Sequence, residues 1–204
     1  MNILFAGSPK SSSRILESLA NLKSVNIMGV LTKPDKRGKR GTGLHESEVA
    51  KTAAKFNLKV FKPESINEVD FKASIQCLNL DLMVVVAYGK LIPNWLLSFP
   101  KVMCLNVHFS LLPKYRGASP IQSSLLNGDS ETGISFMQMT ERLDEGGLIS
   151  TKSISIEDSD NKISVEERLT DLTIENMDSV FDMLKNKNAI IINQDNSKAS
   201  YCKK

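Results

Sequence analysis

Histidine is scarce in this chain. Only His45 and His108 occur among 204 residues, so imidazole chemistry has few places to reside. Cysteine is scarce as well. Cys77, Cys104 and Cys202 are odd in number and widely spaced, which argues against a disulfide framework and against a zinc site. No apolar run approaches the roughly 20 residues that a membrane helix needs. Residues 1–7 enter a strand-like run directly, with no basic leader region or cleavage signal. A cytoplasmic location without a membrane partner is the expectation. Net charge is only +3, too small to announce a nucleic-acid binder by itself.

The remainder is ordinary for one globular domain, with 41% hydrophobic and 24% charged residues. Charge is concentrated in one place. Lys33, Lys36, Arg37, Lys39 and Arg40 against Asp35 give +4 within eight residues, and the rest of the chain is nearly neutral.

Pattern along the chain predicts an α/β fold. Residues 2–6 read as a buried strand ending in the turn Gly7-Ser8-Pro9. Residues 11–22 have helical spacing, with Ile15, Leu16 and Leu19 on one side. Residues 25–31 form a second apolar strand, and the glycine-rich basic stretch 32–43 reads as a loop. Helices are expected at 46–56 and 69–78, with a short strand at 58–61. Residues 82–87 lack alternation, as a central strand covered on both faces should. Residues 103–107 form a further strand. This rhythm predicts a doubly wound, mostly parallel, Rossmann-like sheet in a single domain. The order changes after residue 108. A loop over 108–118 precedes a helix capped at Ser119-Pro120, strands at 132–139 and 148–156, and a long helix over 164–184 with a capping serine.

In open α/β sheets, ligands bind beyond the carboxyl ends of the strands. Asn106 and His108 sit at one such end, and Gly7-Ser8-Pro9 and Ala87-Tyr88-Gly89 sit at two others. Asp144 lies on a loop that could close over that cleft. An amide, an imidazole and a carboxylate so arranged could run acyl transfer to an amine. The amide and imidazole can hold a developing oxyanion, and the imidazole and carboxylate can manage protons. Taken singly, each residue also suits a structural role: a buried histidine, a cap, an Asx-turn.

Residues 105–122, Leu-Asn-Val-His-Phe-Ser-Leu-Leu-Pro-Lys-Tyr-Arg-Gly-Ala-Ser-Pro-Ile-Gln, resemble the signature of the folate-dependent formyltransferases. Supporting matches run along the chain: Phe5 to Pro9, Thr32-Lys33-Pro34-Asp35, Met83 to Gly89, Gly128-Asp129, Met137-Gln138-Met139 and Leu143-Asp144. The resemblance is strongest to the branch that formylates methionyl-initiator-tRNA. It implies 10-formyltetrahydrofolate as donor, initiator methionyl-tRNA as partner, no metal, and a monomer. Asn106, His108 and Asp144 match the family's catalytic positions. Ser110, Leu111, Leu112 and Pro113 match its donor-binding turn. Ala87, Tyr88, Gly89, Lys90, Leu91 and Ile92, together with Gln138, Met139 and Leu143, match segments that enclose the pterin. Lys33, Lys36, Arg37, Lys39 and Arg40 match a basic insertion that contacts the acceptor stem. The purine-pathway glycinamide ribonucleotide formyltransferases lack that insertion.

The resemblance implies one catalytic domain over residues 1–190, and a tail at 191–204 like the start of a linker to a C-terminal β-barrel domain that this sequence does not contain. Four positions depart from the family pattern. Phe109 replaces a small residue, Glu145-Gly146-Gly147 replaces Thr-Gly-Asp, Ser11-Ser12-Ser13 replaces an aromatic, and Glu46-Ser47-Glu48 replaces Pro-Ser-Pro. Two other readings stand beside the leading one. The same chemistry could serve an amino-sugar nucleotide, or the chain could be a non-catalytic module that binds folate or RNA.

Overall fold

Ile3, Leu4, Phe5 and Ala6 are wholly buried because they form the middle of β1 (Asn2–Gly7). In the computed structural model, which describes residues 1–37 and 43–202, the chain divides into two compact units, Met1–Cys104 and Leu105–Lys204. In the first unit β1 runs parallel to β2 (Asn26–Leu31) on one side and to β6 (Leu82–Val86) on the other. A short β5 (Val60–Phe61) extends the parallel set beyond β2. Parallel neighbours need crossover connections, and helices supply them. These are α1 (Lys10–Ala20), α2 (Glu48–Lys55) and α3 (Val69–Gln76), followed by the short α4 (Asn94–Leu97). Every residue of β6 is buried, which accounts for its unbroken apolar run.

The doubly wound, mostly parallel α/β class expected from the sequence is therefore present. One local expectation is corrected. The basic stretch is not a bare loop, since β3 (Lys36–Arg37) pairs antiparallel with β4 (Leu44–His45). Glycines close to a two-residue ladder mask its pattern.

In the second unit, β7 (Met103–His108) pairs through residues 105–108 with β9 (Glu131–Gln138), which pairs in turn with β10 (Leu148–Ser155). Both pairings are antiparallel, so the switch of strand direction follows the break in rhythm after His108. Helices α5 (Pro120–Leu126) and α6 (Lys162–Lys185) complete the unit. The α6 cap is Asn161, not the expected Ser164. Asn161 accepts from the Ser164 N–H, while the Ser164 hydroxyl accepts from the Asn161 N–H, a reciprocal box that starts the helix earlier. Ser119 makes no side-chain cap to α5, although Pro120 opens that helix as expected. Two short strands were not foreseen. β8 (Arg116–Gly117) pairs in parallel with β11 (Tyr201–Cys202), so part of the 191–204 segment is laid against the signature loop.

Candidate active site

Asn106 and His108 are two residues apart on β7 and therefore project from the same face. Both are buried, with exposures of 9% and 6%. Among the described residues, nothing hydrogen-bonds the Asn106 side-chain amide, so its donors are uncommitted. The His108 ring is fixed from one side. Its Nε2–H donates to the Tyr115 carbonyl at 2.8 Å, since a carbonyl can only accept. In the neutral ring Nδ1 then carries the lone pair. That atom faces Asp144 Oδ2 at 3.7 Å, and a proton gained there meets a carboxylate.

Asp144 is held by backbone. Gly117 N–H donates to Oδ2 at 2.7 Å, and the residue has φ of 52°, a left-handed conformation in which Asp is better tolerated than most. Beside it, the Glu145 carboxyl lies below the ordinary carboxylate range, first because the Tyr201 hydroxyl donates to it and then through Arg116 and Arg142. Gly146 follows because a Cβ there would collide with the Gln138 carbonyl. Of the expected triad, His108 and Asp144 meet at 3.7 Å, and Asn106 lies on the same strand face as His108.

Residues 110–113 spend their side chains on holding their own loop. The Ser110 hydroxyl donates to the Lys114 carbonyl at 2.6 Å. Ser135 on β9 donates to the Ser110 carbonyl at 2.7 Å and accepts from the Leu112 N–H at 3.0 Å. Leu111 packs over Gly133, Leu112 is buried, and a cis bond joins it to Pro113. What this turn presents is backbone and shape. Gln138 and Met139 are half-buried at the end of β9, and Leu143 is 54% exposed ahead of Asp144.

In the first unit, residues 87–92 alternate. Ala87, Gly89 and Leu91 are exposed, whereas Tyr88 and Ile92 are buried. Lys90 is clamped to the Pro63 and Glu64 carbonyls at 3.0 and 2.7 Å. The Tyr88 hydroxyl is buried with no partner among the described residues, and burial pushes its pKa up to about 12. Lys33 is half-buried with its ammonium against Gly89, so it lies over this segment. Lys36 is exposed on β3, which Arg37 completes. Lys39 and Arg40 lie outside the described residues. Asp35 is tied to Lys62, which also reaches Glu46 at 2.7 Å.

The departures near the first strand have structural uses. Ser12 donates to the Val86 carbonyl at 2.6 Å, and the Ser13 hydroxyl lies 2.7 Å from that of Thr52. They fasten α1 to β6 and α2. Ser47 caps α2 through the Ala50 N–H and lies 2.7 Å from the Thr32 hydroxyl. Phe109 is half-buried.

Sequence pattern missed Tyr115, Gly117, Ser135 and Gln194, all of which shape the site. Tyr115 and Gly117 lie inside the signature stretch. Nothing in the polar segment around Gln194 marks it. Among the described residues no group of three or more His, Cys, Asp or Glu could hold a metal ion, and no helix is long and apolar enough to cross a membrane.

Helix-linked parallel strands, with antiparallel strands added after His108, define the chain as an α/β protein. It belongs to the formyl transferase family, which matches residues 1–181. Solved structures share the fold. Glycinamide ribonucleotide transformylase 1 from Symbiobacterium toebii is 16% identical at a TM-score of 0.74, covering 95% of this chain and 93% of that one. Phosphoribosylglycinamide formyltransferase from Anaplasma phagocytophilum is 14% identical at a TM-score of 0.77, covering 100% and 99%. WlaRD, a sugar 3N-formyl transferase solved with dTDP and 5-N-formyl-THF, is 18% identical at a TM-score of 0.73, covering 99% and 69%.

Proposed function

We propose that this chain transfers a formyl group from 10-formyltetrahydrofolate to a primary amine, and that the amine is that of methionyl-initiator-tRNA. The observation that carries the transfer is the meeting of His108 and Asp144 at 3.7 Å, with Asn106 on the same strand face as His108, in a chain of the formyl transferase family. The residues suit a formyl donor. A buried amide and imidazole share one strand face, and the exposed apolar Leu143 stands next to the carboxylate.

The donor supplies a formyl carbon bonded to N10 of the folate. Asn106 donates a side-chain N–H to the formyl oxygen as it gains charge. The new bond joins the acceptor nitrogen to the formyl carbon, and the bond from that carbon to N10 breaks. The amine's proton must leave and N10 must gain one. His108, protonated at Nδ1, can pass that proton to N10 and take up the amine's proton in its place, so that the ring ends as it began. Asp144 faces that nitrogen, and the Tyr115 carbonyl keeps the ring from turning. The family resemblance assigns the folate to Ser110, Leu111, Leu112 and Pro113 with Gln138, Met139 and Leu143 in the second unit, and to residues 87–92 in the first.

The basic stretch at 33–40 supports the tRNA acceptor. A second reading keeps the chemistry and takes an amino-sugar nucleotide, supported by the likeness to the sugar formyl transferase WlaRD. An acceptor panel with 10-formyltetrahydrofolate decides between them: methionyl-tRNA, an amino-sugar nucleotide, and no acceptor. Turnover with methionyl-tRNA alone is expected. Turnover only with the sugar overturns the acceptor, and folate binding without any turnover overturns the enzyme reading in favour of a non-catalytic module.

A further inference from the structure

We propose that the segment 190–202 positions the candidate catalytic pair, with Gln194 setting the Asp144 loop and Arg116 anchoring Gln194. This rests on the formyl-transfer reading.

Asp144 sits in a strained backbone conformation, and its loop needs a restraint from outside. Gln194 provides one. Its Nε2 donates to the Asp144 carbonyl at 2.8 Å and to the Gly146 carbonyl at 2.7 Å. Its Oε1 accepts from Arg116 Nε at 3.1 Å and Nη2 at 2.9 Å. Arg116 is 1% exposed, so its charge must be fully satisfied. The 190–202 segment does most of that. Asn196 accepts from Nη2 at 2.7 Å and the Tyr201 hydroxyl from Nη1 at 3.0 Å. The Tyr201 hydroxyl then donates to Glu145 at 2.9 Å, the residue next to Asp144. A buried cation thus links the segment to the loop at two points.

The other member of the pair is reached as well. The Tyr115 N–H donates to the Ser200 hydroxyl at 2.9 Å, and the Arg116 N–H to the Ser200 carbonyl at 2.8 Å. Tyr115 is the residue whose carbonyl holds His108. Ile192 exchanges two backbone hydrogen bonds with Leu148, at 2.8 and 2.9 Å, which pins the segment to the start of β10. The departures from the family pattern at 145–147 fit this arrangement. Glu145 meets Tyr201, and a Cβ on Gly147 would collide with Ile191. The loop and the segment are built for each other.

A staple that only stabilises would make the same contacts, so the test separates stability from rate. Gln194→Glu keeps an acceptor for Arg116 and strengthens it with charge, but it cannot donate to the two carbonyls. Gln194→Met loses both functions. Both variants are made in the full chain. For Gln194→Glu the thermal midpoint should fall less than in Gln194→Met, because the Arg116 contact is kept, while kcat falls about tenfold or more and KM for the donor stays within about twofold. Gln194→Met should lose both midpoint and kcat. Amide hydrogen exchange over residues 144–147 should quicken in both variants. A Gln194→Glu protein with parental kcat, or parental exchange in that loop, overturns the positioning role. Exchange is read without substrate, so a parent that transfers no formyl group but shows quickened exchange in the variants overturns the formyl-transfer reading alone.

Discussion

His108 and Asp144 face each other with Nδ1 3.7 Å from Oδ2, and each is fixed from its far side by backbone. The Tyr115 carbonyl holds the imidazole and the Gly117 N–H holds the carboxylate. The gap exceeds a hydrogen bond. Neither residue therefore depends on the other for its place.

That arrangement predicts how substitutions divide rate from structure. Asp144→Asn keeps the side-chain shape and an acceptor for Gly117 while removing the charge. His108→Ala removes the proton carrier. Each should lower kcat by roughly two orders of magnitude or more with little change in donor affinity, because these groups act on the transition state. Asn106→Ala should lower turnover by about 10²–10³, the usual loss for one oxyanion donor. Steady-state kinetics with a measured folate Kd checks all three. Near-parental kcat in His108→Ala would remove the mechanism.

Ser135 predicts a stability effect in the signature loop. Its hydroxyl is the partner of both the Leu112 N–H and the Ser110 carbonyl, and it is wholly buried. Ser135→Ala leaves two buried backbone groups unpaired and should cost about 1–3 kcal/mol. Urea denaturation measures it. An unchanged midpoint would mean that the loop repacks or admits water at that position.

The sequence was legible where the physics is local. Unbroken apolar runs announced β1 and β6 because both faces of those strands are covered. Asn106 and His108 could be placed together because two residues along a strand return to the same face. The contacts that hold the site are of another kind. Tyr115 reaches His108 through a backbone carbonyl, which carries no residue signature. Gln194 reaches Asp144 across 50 positions and Arg116 across 78, from a polar segment with no periodicity. Arg116 stands inside the signature stretch with nothing in the local pattern to mark its burial, and only the fold buries it.

Two buried acids predict the alkaline limit of stability. Burial pushes the Tyr88 hydroxyl from 10.0 to about 12 and the Cys104 thiol from 9.0 to about 12. The unfolded chain gives up these protons first, so the folded form binds more of them as pH rises. The associated stability is complete below pH 9 and falls through the interval up to about 12. Tyr88→Phe should leave stability at pH 7 unchanged or slightly raised, since its hydroxyl has no partner among the described residues. Tyr88→Phe and Cys104→Ala should each flatten the alkaline fall. Denaturation at a series of pH values reads the slopes, and parental slopes in both variants would show that other groups set the limit.

The acceptor assignment predicts a salt dependence. The stretch 33–40 carries +4 while the rest of the chain is nearly neutral. Lys33 is already engaged over Gly89, which leaves Lys36, Arg37, Lys39 and Arg40 as the cations available to phosphates. Each phosphate contact on a duplex stem adds about 0.9 to the slope of log affinity against log salt. Replacing Lys39 and Arg40 with alanine should weaken tRNA binding and flatten that slope by up to about 2. Folate affinity should not move, because Asn106, His108 and Asp144 are untouched. Binding titrations at several salt concentrations, with tRNA and with folate, give both quantities. If the double variant keeps the parent's affinity and slope for tRNA, these cations do not meet phosphate and the amino-sugar acceptor becomes the better reading.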